Sequence, residues 1–328
     1  MKNYAIGCDL GGTNLRVGVV DVQNGKVIYL QSTPTQAREG YSAVIARMAK
    51  MIRDVISHCE FSRENICGIG IGAPAVLNPQ EGVVLLMPNL YGGWRNVPLG
   101  KLMSNLVQMP VHLINDVRAT TYGEWKYGAG KNTSTMVCFS IGTGIGGGVV
   151  INKELVMNFH GTTGELGHMI IDPNGPECGC GNHGCLEAYA SGPALAALGI
   201  KAVKQGRTTI IGELVNFDLN LINAEVIAQA ALQGDQIARE IYEYVGGIIG
   251  LAAANVSLAV GPERIVICGG VAKARDLLLD PIKATIQKRI FVLPKEKIMV
   301  VKGALGDEAG ILGSANWASF KENDHTFN

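Results

Sequence analysis

Three cysteines fall within eight residues, Cys178, Cys180 and Cys185, and His168 stands ten residues before the first of them. Three thiolates and an imidazole make a closed tetrahedral set. That is the ligand chemistry of structural zinc, with no open position for catalysis by the metal. Gly179, Gly181 and Gly184 let the loop fold tightly around an ion. His183, inside the loop, is a rival fourth ligand, and His160 a weaker one. A disulfide is the competing use of such thiols, but it requires an oxidising compartment. Cys178 and Cys180 are also too close in sequence for an easy bridge.

Two glycine turns could cradle phosphates, because backbone N–H groups approach an anion closely where no Cβ intervenes. They are Asp9-Leu-Gly-Gly-Thr13 and Gly142-Thr-Gly144, about 130 residues apart, each with a threonine. Gly142 to Gly147 formally matches G-x-G-x-x-G, but a dinucleotide site needs a helix straight after the turn. Here Val149 to Ile151 and Asn152-Lys153 read as strand and hairpin, which excludes a nicotinamide dehydrogenase. No G-x-x-x-x-G-K-[ST] occurs, which excludes a P-loop. What survives is strand–turn–strand twice, with Gly269-Gly270 closing a further strand. Asp9, at a strand end beside phosphates, could hold Mg²⁺ through water.

A third group is polar. Asn115-Asp116 follows a strand directly, where α/β ligand sites lie. Glu165 and His168 are three apart, Glu187 follows the cysteine loop by two, and Asn89 sits in a loop. Carboxylates, amides and an imidazole suit the many hydroxyls of a sugar, one carboxylate serving as base. By spacing alone each also fits a cap, a turn or a surface charge, and Asp116 fits a helix N-cap.

The elements that must position these residues read as α/β. Strands are expected at Tyr4–Asp9, Leu15–Asp21, Val27–Leu30, Ile66–Gly72, Val111–Asn115, Ser134–Ile141, Val149–Ile151, Arg264–Cys268 and Ile298–Val301. Asn24-Gly25 is a type I′ hairpin signal. Helices are expected near Tyr41–Cys59, Asp116–Tyr127, Ala224–Gln233 with Asn223 as cap, Asp235–Ala259, from Asp276, and Asp307–Phe320. The 328 residues favour about two domains. At 47% hydrophobic and 17% charged the chain can bury large cores, and 28 basic residues balance 28 acidic ones. Such neutrality draws the chain to neither nucleic acid nor an anionic membrane. The opening run is too short for a signal peptide, and Val245–Val260 suits a buried helix better than a membrane span, so a cytoplasmic protein is expected.

The chain resembles the ROK family (repressors, open reading frames and kinases), and within it the bacterial ATP-dependent glucokinases. The resemblance rests on Asp9-Leu-Gly-Gly-Thr13, Pro88-Asn-Leu with Gly93-Trp94, Asn115-Asp116, Gly142 to Gly147, Gly164-Glu-Leu-Gly-His168, and Cys178 to Glu187. It implies a two-lobed, actin-like (ribonuclease-H-like) fold with a nucleotide and sugar cleft between domains. The implied domains are 1–118 with about 305–328, and 119–304 carrying the second turn, the zinc loop and the dimerisation surface. The implied activity is transfer of phosphate from ATP to O6 of a hexose, foremost glucose, with Asp116 as general base. Asn89, Asn115, Glu165, His168 and Glu187 would bind the other hydroxyls, His168 also ligating zinc. Gly11, Gly12, Thr13, Thr143 and Gly144 would cradle phosphates, with Gly269 and Gly270 near the nucleoside. The resemblance also implies a homodimer or tetramer. N-acetylglucosamine, N-acetylmannosamine, fructose and allose are the rival sugars. A DNA-binding repressor of the family carries an N-terminal helix-turn-helix, for which a turn beginning at residue 9 leaves no room.

Overall fold

In the computed structural model the chain opens with β1 (Tyr4–Leu10), β2 (Asn14–Asp21) and β3 (Lys26–Pro34), an antiparallel meander. The structure describes residues 2–88, 90–157 and 161–323. β1 and β2 are covered on both faces, so they read as near-continuous apolar runs, whereas the edge strand β3 alternates exposed and half-buried residues. The turn between β2 and β3 departs from the type I′ expectation. Among its residues only Gly25 has positive φ. The Asp21 carboxylate accepts from the amides of Gln23 and Asn24, and the Gly25 amide donates to the Asp21 carbonyl. Asp21 thus holds a longer loop in place of a two-residue Asn-Gly turn.

Helix α1 (Tyr41–Ser57) lays Val44, Met48, Ile52 and Val55 onto the core that Leu15 and Val17 share. β4 (Ile66–Ala73) runs parallel to β1. Three short strands, β5 (Val76–Asn78), β6 (Val83–Leu86) and β7 (Arg95–Val97), form a separate sheet that periodicity does not reveal, being three or four residues each. Then α2 (Leu99–Val107) precedes β8 (Val111–Asn115), parallel to β4, and α3 (Asp116–Tyr127). The main sheet has order β3-β2-β1-β4-β8.

The second half repeats that plan. β9 (Met136–Ile141) and β10 (Ile145–Ile151) are antiparallel, and β11 (Glu154–Leu155) is a two-residue return strand. α4 (Leu186–Ala190), α5 (Gly192–Lys204), α6 (Ala224–Leu232) and α7 (Gln236–Val260) follow, then β12 (Arg264–Cys268), α8 (Asp276–Arg289) and β13 (Met299–Lys302). β12 is parallel to both β9 and β13, giving the order β11-β10-β9-β12-β13. In both sheets a hairpin's first strand takes a parallel neighbour, which takes another. Asn223 and Asp235 cap α6 and α7 with their side chains. α7 is long and apolar enough to cross a membrane by length and composition, and here packs against α6 and α8.

The final helix, α9 (Ala309–Asn323), buries Ile311, Leu312 and Ala315 against Ala5, Val20 and Cys67 of the first sheet. The chain divides into one unit of Met1–Asn132, Glu154–Thr163 and Ala304–Asn328, and a second of Thr133–Lys153 and Gly164–Gly303. This division differs from a boundary at 118/119, which would cut α3. That helix packs along α9 and stays with the first unit.

Candidate active site

In the first unit the site grows from the ends of β1 and β8. Asn115 ends β8 and caps α3, its Oδ1 accepting from the amides of Val117 (3.0 Å) and Arg118 (3.3 Å). The cap is therefore Asn115, and Asp116 occupies the first helical position. The Asn115 amide also donates to the Ala75 carbonyl at 3.4 Å. Burial pushes the Asp116 carboxyl up to about 6, and the negative charge of Asp9 adds to the rise. The Val117 amide and the Arg118 cation oppose it. Asp9, on β1, pairs with Arg16 on β2 and with Gly72 on β4. Its carboxyl is likewise raised, by burial first, with Arg16 lowering it and Asp307 raising it. Two buried carboxyls held above their ordinary range make a setting suited to a cation or a mobile proton.

The first glycine turn closes through the Gly11 amide, which donates to the Asn14 carbonyl at 3.0 Å. Thr35, fully buried, holds it from behind. Its hydroxyl donates to the Gly11 carbonyl (2.6 Å) and its amide to the Thr13 carbonyl (2.8 Å). Gly12 and Thr13 are left exposed at the tip.

The second unit holds the other turn, and β10 follows it directly, as strand rather than helix. The Gly142 amide donates to the Gly144 carbonyl (2.9 Å), and the Gly192 amide, at the start of α5, to the Gly142 carbonyl (2.8 Å). Thr143 is exposed. Glu187 ties this turn to the cysteine loop. One carboxylate oxygen accepts from the Ile145 amide (2.8 Å), and the other faces the Cys178 sulfur at 3.7 Å. A side chain at Gly144 would strike Glu187 at 2.4 Å. Gly269, with φ 86°, and Gly270 are exposed at the end of β12.

The donor atoms of His168, Cys178, Cys180 and Cys185 lie within 4.8 Å of one another. Cys180 and Cys185 sulfurs are 3.8 Å apart, as are the Cys178 sulfur and His168 Nδ1. A tetrahedron with Zn–S bonds of about 2.3 Å has edges near 3.8 Å, so the donor set fits zinc. Burial and the neighbouring sulfurs push the Cys185 thiol up to about 12. His168 turns Nδ1 to this cluster and Nε2 toward Glu165, whose Oε2 is 4.0 Å away. The Glu165–His168 segment can lie on β10 only because Gly167 lacks a side chain; its Cβ would stand 1.8 Å from the Ile145 carbonyl oxygen.

His183, the rival ligand, is outside the cluster, its backbone bridged to Glu177. Asn89 and His160 lie outside the described residues. Thr35, Arg118 and Glu124 are absent from the sequence reading. Thr35 acts across 22 residues of chain, and no local pattern marks it.

A family model described as the ROK family matches residues 5–321. A glucokinase of Thermotoga maritima is 34% identical over 315 residues, which cover 96% of this chain and 97% of that one. A putative xylose repressor of a Caldicellulosiruptor species is 31% identical over 94% of this chain and 76% of its own length. The solved structure of a ROK family glucokinase from Streptomyces griseus in complex with glucose and AMPPNP matches with TM-score 0.82 at 28% identity. It covers 96% of this chain and 99% of that one.

Proposed function

The chain belongs to the ROK family and has its two-lobed, actin-like ATPase fold, and from that premise we propose an ATP-dependent glucokinase that phosphorylates O6 of glucose. Sugar phosphorylation is the reading supported by the glucokinase relatives, and Asp116 is the observation on which the chemistry rests. A carboxyl near 6 is ionised at neutral pH, yet basic enough to take a hydroxyl proton as the oxygen attacks phosphorus. Phosphoryl transfer otherwise asks mainly for positioning and charge stabilisation.

The remaining roles follow from the donors each residue offers. Gly12, Thr13 and Thr143 present exposed turn backbone to phosphate oxygens, with half-buried Gly11 and Gly144 shaping the two cradles and Gly269 and Gly270 toward the nucleoside. Asp9 would hold magnesium through water, and that ion, when bound, neutralises charge on the phosphates. Asn89, Asn115, Glu165, His168 and Glu187 are the proposed partners of the sugar hydroxyls. Asn115 and Glu187 do so with the valences left over from capping α3 and bonding Ile145. His168 Nδ1, Cys178, Cys180 and Cys185 would hold zinc, which lends folding energy and fixes the histidine ring with Nε2 directed away from the metal.

The test is product formation from glucose and magnesium–ATP by wild type and Asp116→Asn. Wild type is expected to yield glucose 6-phosphate and the variant to turn over at least ~10³-fold more slowly with glucose still bound. Near-normal kcat in the variant would remove Asp116 from the reaction.

A further inference from the structure

Helix α3 carries two charged residues that are almost wholly buried, Arg118 at 3% exposure and Glu124 at 1%. Both bond to backbone groups of segments that flank the places where the chain leaves or re-enters the first unit. Arg118 donates from Nε to the Thr163 carbonyl (2.8 Å) and from Nη2 to the Thr162 carbonyl (2.9 Å). The chain leaves the unit straight after Thr163. Glu124 accepts from the amides of Ala129 (2.8 Å), Ala304 (3.0 Å) and Leu305 (2.9 Å). The chain leaves after Asn132 and returns at Ala304.

Taking charges out of water is costly, and apolar residues of similar volume often stabilise a core as well or better. What a guanidinium fork and a carboxylate add is direction, since each bond fixes an angle as well as a distance. The helix they fasten is the one whose first residue is Asp116. We infer that Arg118 is a positioning residue for Asp116, holding the N-terminal turn of α3 to Thr162 and Thr163 while Glu124 holds its far end. This inference rests on the reading of Asp116 as the base.

Arg118 also acts on Asp116 through charge. The charged groups facing Asp116 are Asp9 from β1 and Arg118 from its own helix; Asp9 in turn faces Arg16 and Asp307. β4, which passes beside the Asp116 backbone, presents Gly72 there. Arg118 is thus the cation that, after the Val117 amide, opposes burial and Asp9 and lowers the Asp116 carboxyl.

The two actions separate in Arg118→Met and Arg118→Lys, assayed with glucose and magnesium–ATP from pH 5 to 9. Arg118→Met removes both fork and charge. It is expected to lower kcat about tenfold to a hundredfold, with KM for either substrate within about threefold of wild type. The acid limb of kcat/KM should move up by about half a unit or more. Arg118→Lys keeps the charge and loses the fork, so its limb should sit at the wild-type pH while kcat stays low. An unmoved limb in Arg118→Met, or wild-type kcat in both variants, would reduce Arg118 to a stabilising residue and overturn the inference. Should Arg118→Met not fold, Arg118→Lys decides alone: low kcat with a wild-type limb supports the inference, and wild-type kcat overturns it. Near-normal turnover by Asp116→Asn would instead defeat the underlying reading, whatever the Arg118 variants do.

Discussion

Asp116→Asn is the substitution at which stability and activity are expected to move in opposite directions. In the unfolded chain the Asp116 carboxyl titrates at its ordinary value near 3.8, and in the fold near 6. Between those values the folded state holds more protons than the unfolded one, so stability falls as pH rises through the window. The penalty is absent below about pH 4 and complete above about pH 6. Two pKa units correspond to about 3 kcal/mol, and because Asp116 is only half-buried, partial solvent access leaves roughly 2 kcal/mol. Asparagine has nearly the same shape and no charge to desolvate, so the variant should recover that energy at neutral pH. For a chain of 328 residues the gain corresponds to a rise in Tm of about 3 °C. Thermal unfolding of both proteins, followed by circular dichroism at intervals from pH 4 to 7.5, provides the assay. The difference in Tm should be near zero at pH 4 and grow to its full value by pH 7. A variant less stable than wild type at pH 7, or a difference independent of pH, would refute the claim that burial and Asp9 burden this carboxylate.

Wild-type kcat/KM should fall about tenfold per pH unit below about pH 6, as Asp116 takes up its proton; a limb near pH 4 would contradict the raised pKa of that carboxyl. Cys180→Ser should release zinc and lower Tm, and the wild-type protein should contain about one zinc per chain by elemental analysis. Less than ~0.2 zinc per chain would dispose of the site. Gly167→Ala forces a methyl group to within 1.8 Å of the Ile145 carbonyl oxygen. It should lose roughly 2 kcal/mol or more in denaturant unfolding, and an unchanged midpoint would show that the segment does not rest on β10 as described.

The parts legible from residues alone were those written in local chemistry. A strand followed by Gly-Gly-Thr or Gly-Thr-Gly and a second strand announces its turn, and Asn223 announces the helix it caps, while Asp235, read as the first residue of its helix, proves to be the cap. The cysteine spacing announces a cluster of metal-ligand type, though only the fold decides that His168 rather than His183 joins it, because the choice depends on how the loop closes. What stayed hidden depends on partners distant in sequence. Thr35 supports the first turn across β3, and Glu124 reaches Ala304 and Leu305 some 180 residues on. The Asn24-Gly25 signal failed for a local reason, since the Asp21 carboxylate competes for the same amides. Glycines near the second turn make room for different neighbours, and their sequence pattern does not separate Gly144, which clears the Glu187 carboxylate, from Gly167, which clears the Ile145 carbonyl.

Phosphoryl transfer to glucose is tested most directly by coupled ADP release with magnesium–ATP across glucose, N-acetylglucosamine, N-acetylmannosamine, fructose and allose. Glucose is expected to give the highest kcat/KM, by about tenfold or more over each of the others. A different preferred sugar would overturn the assignment of glucose, and no ADP release above the sugar-free background with any of the five would contradict the kinase itself.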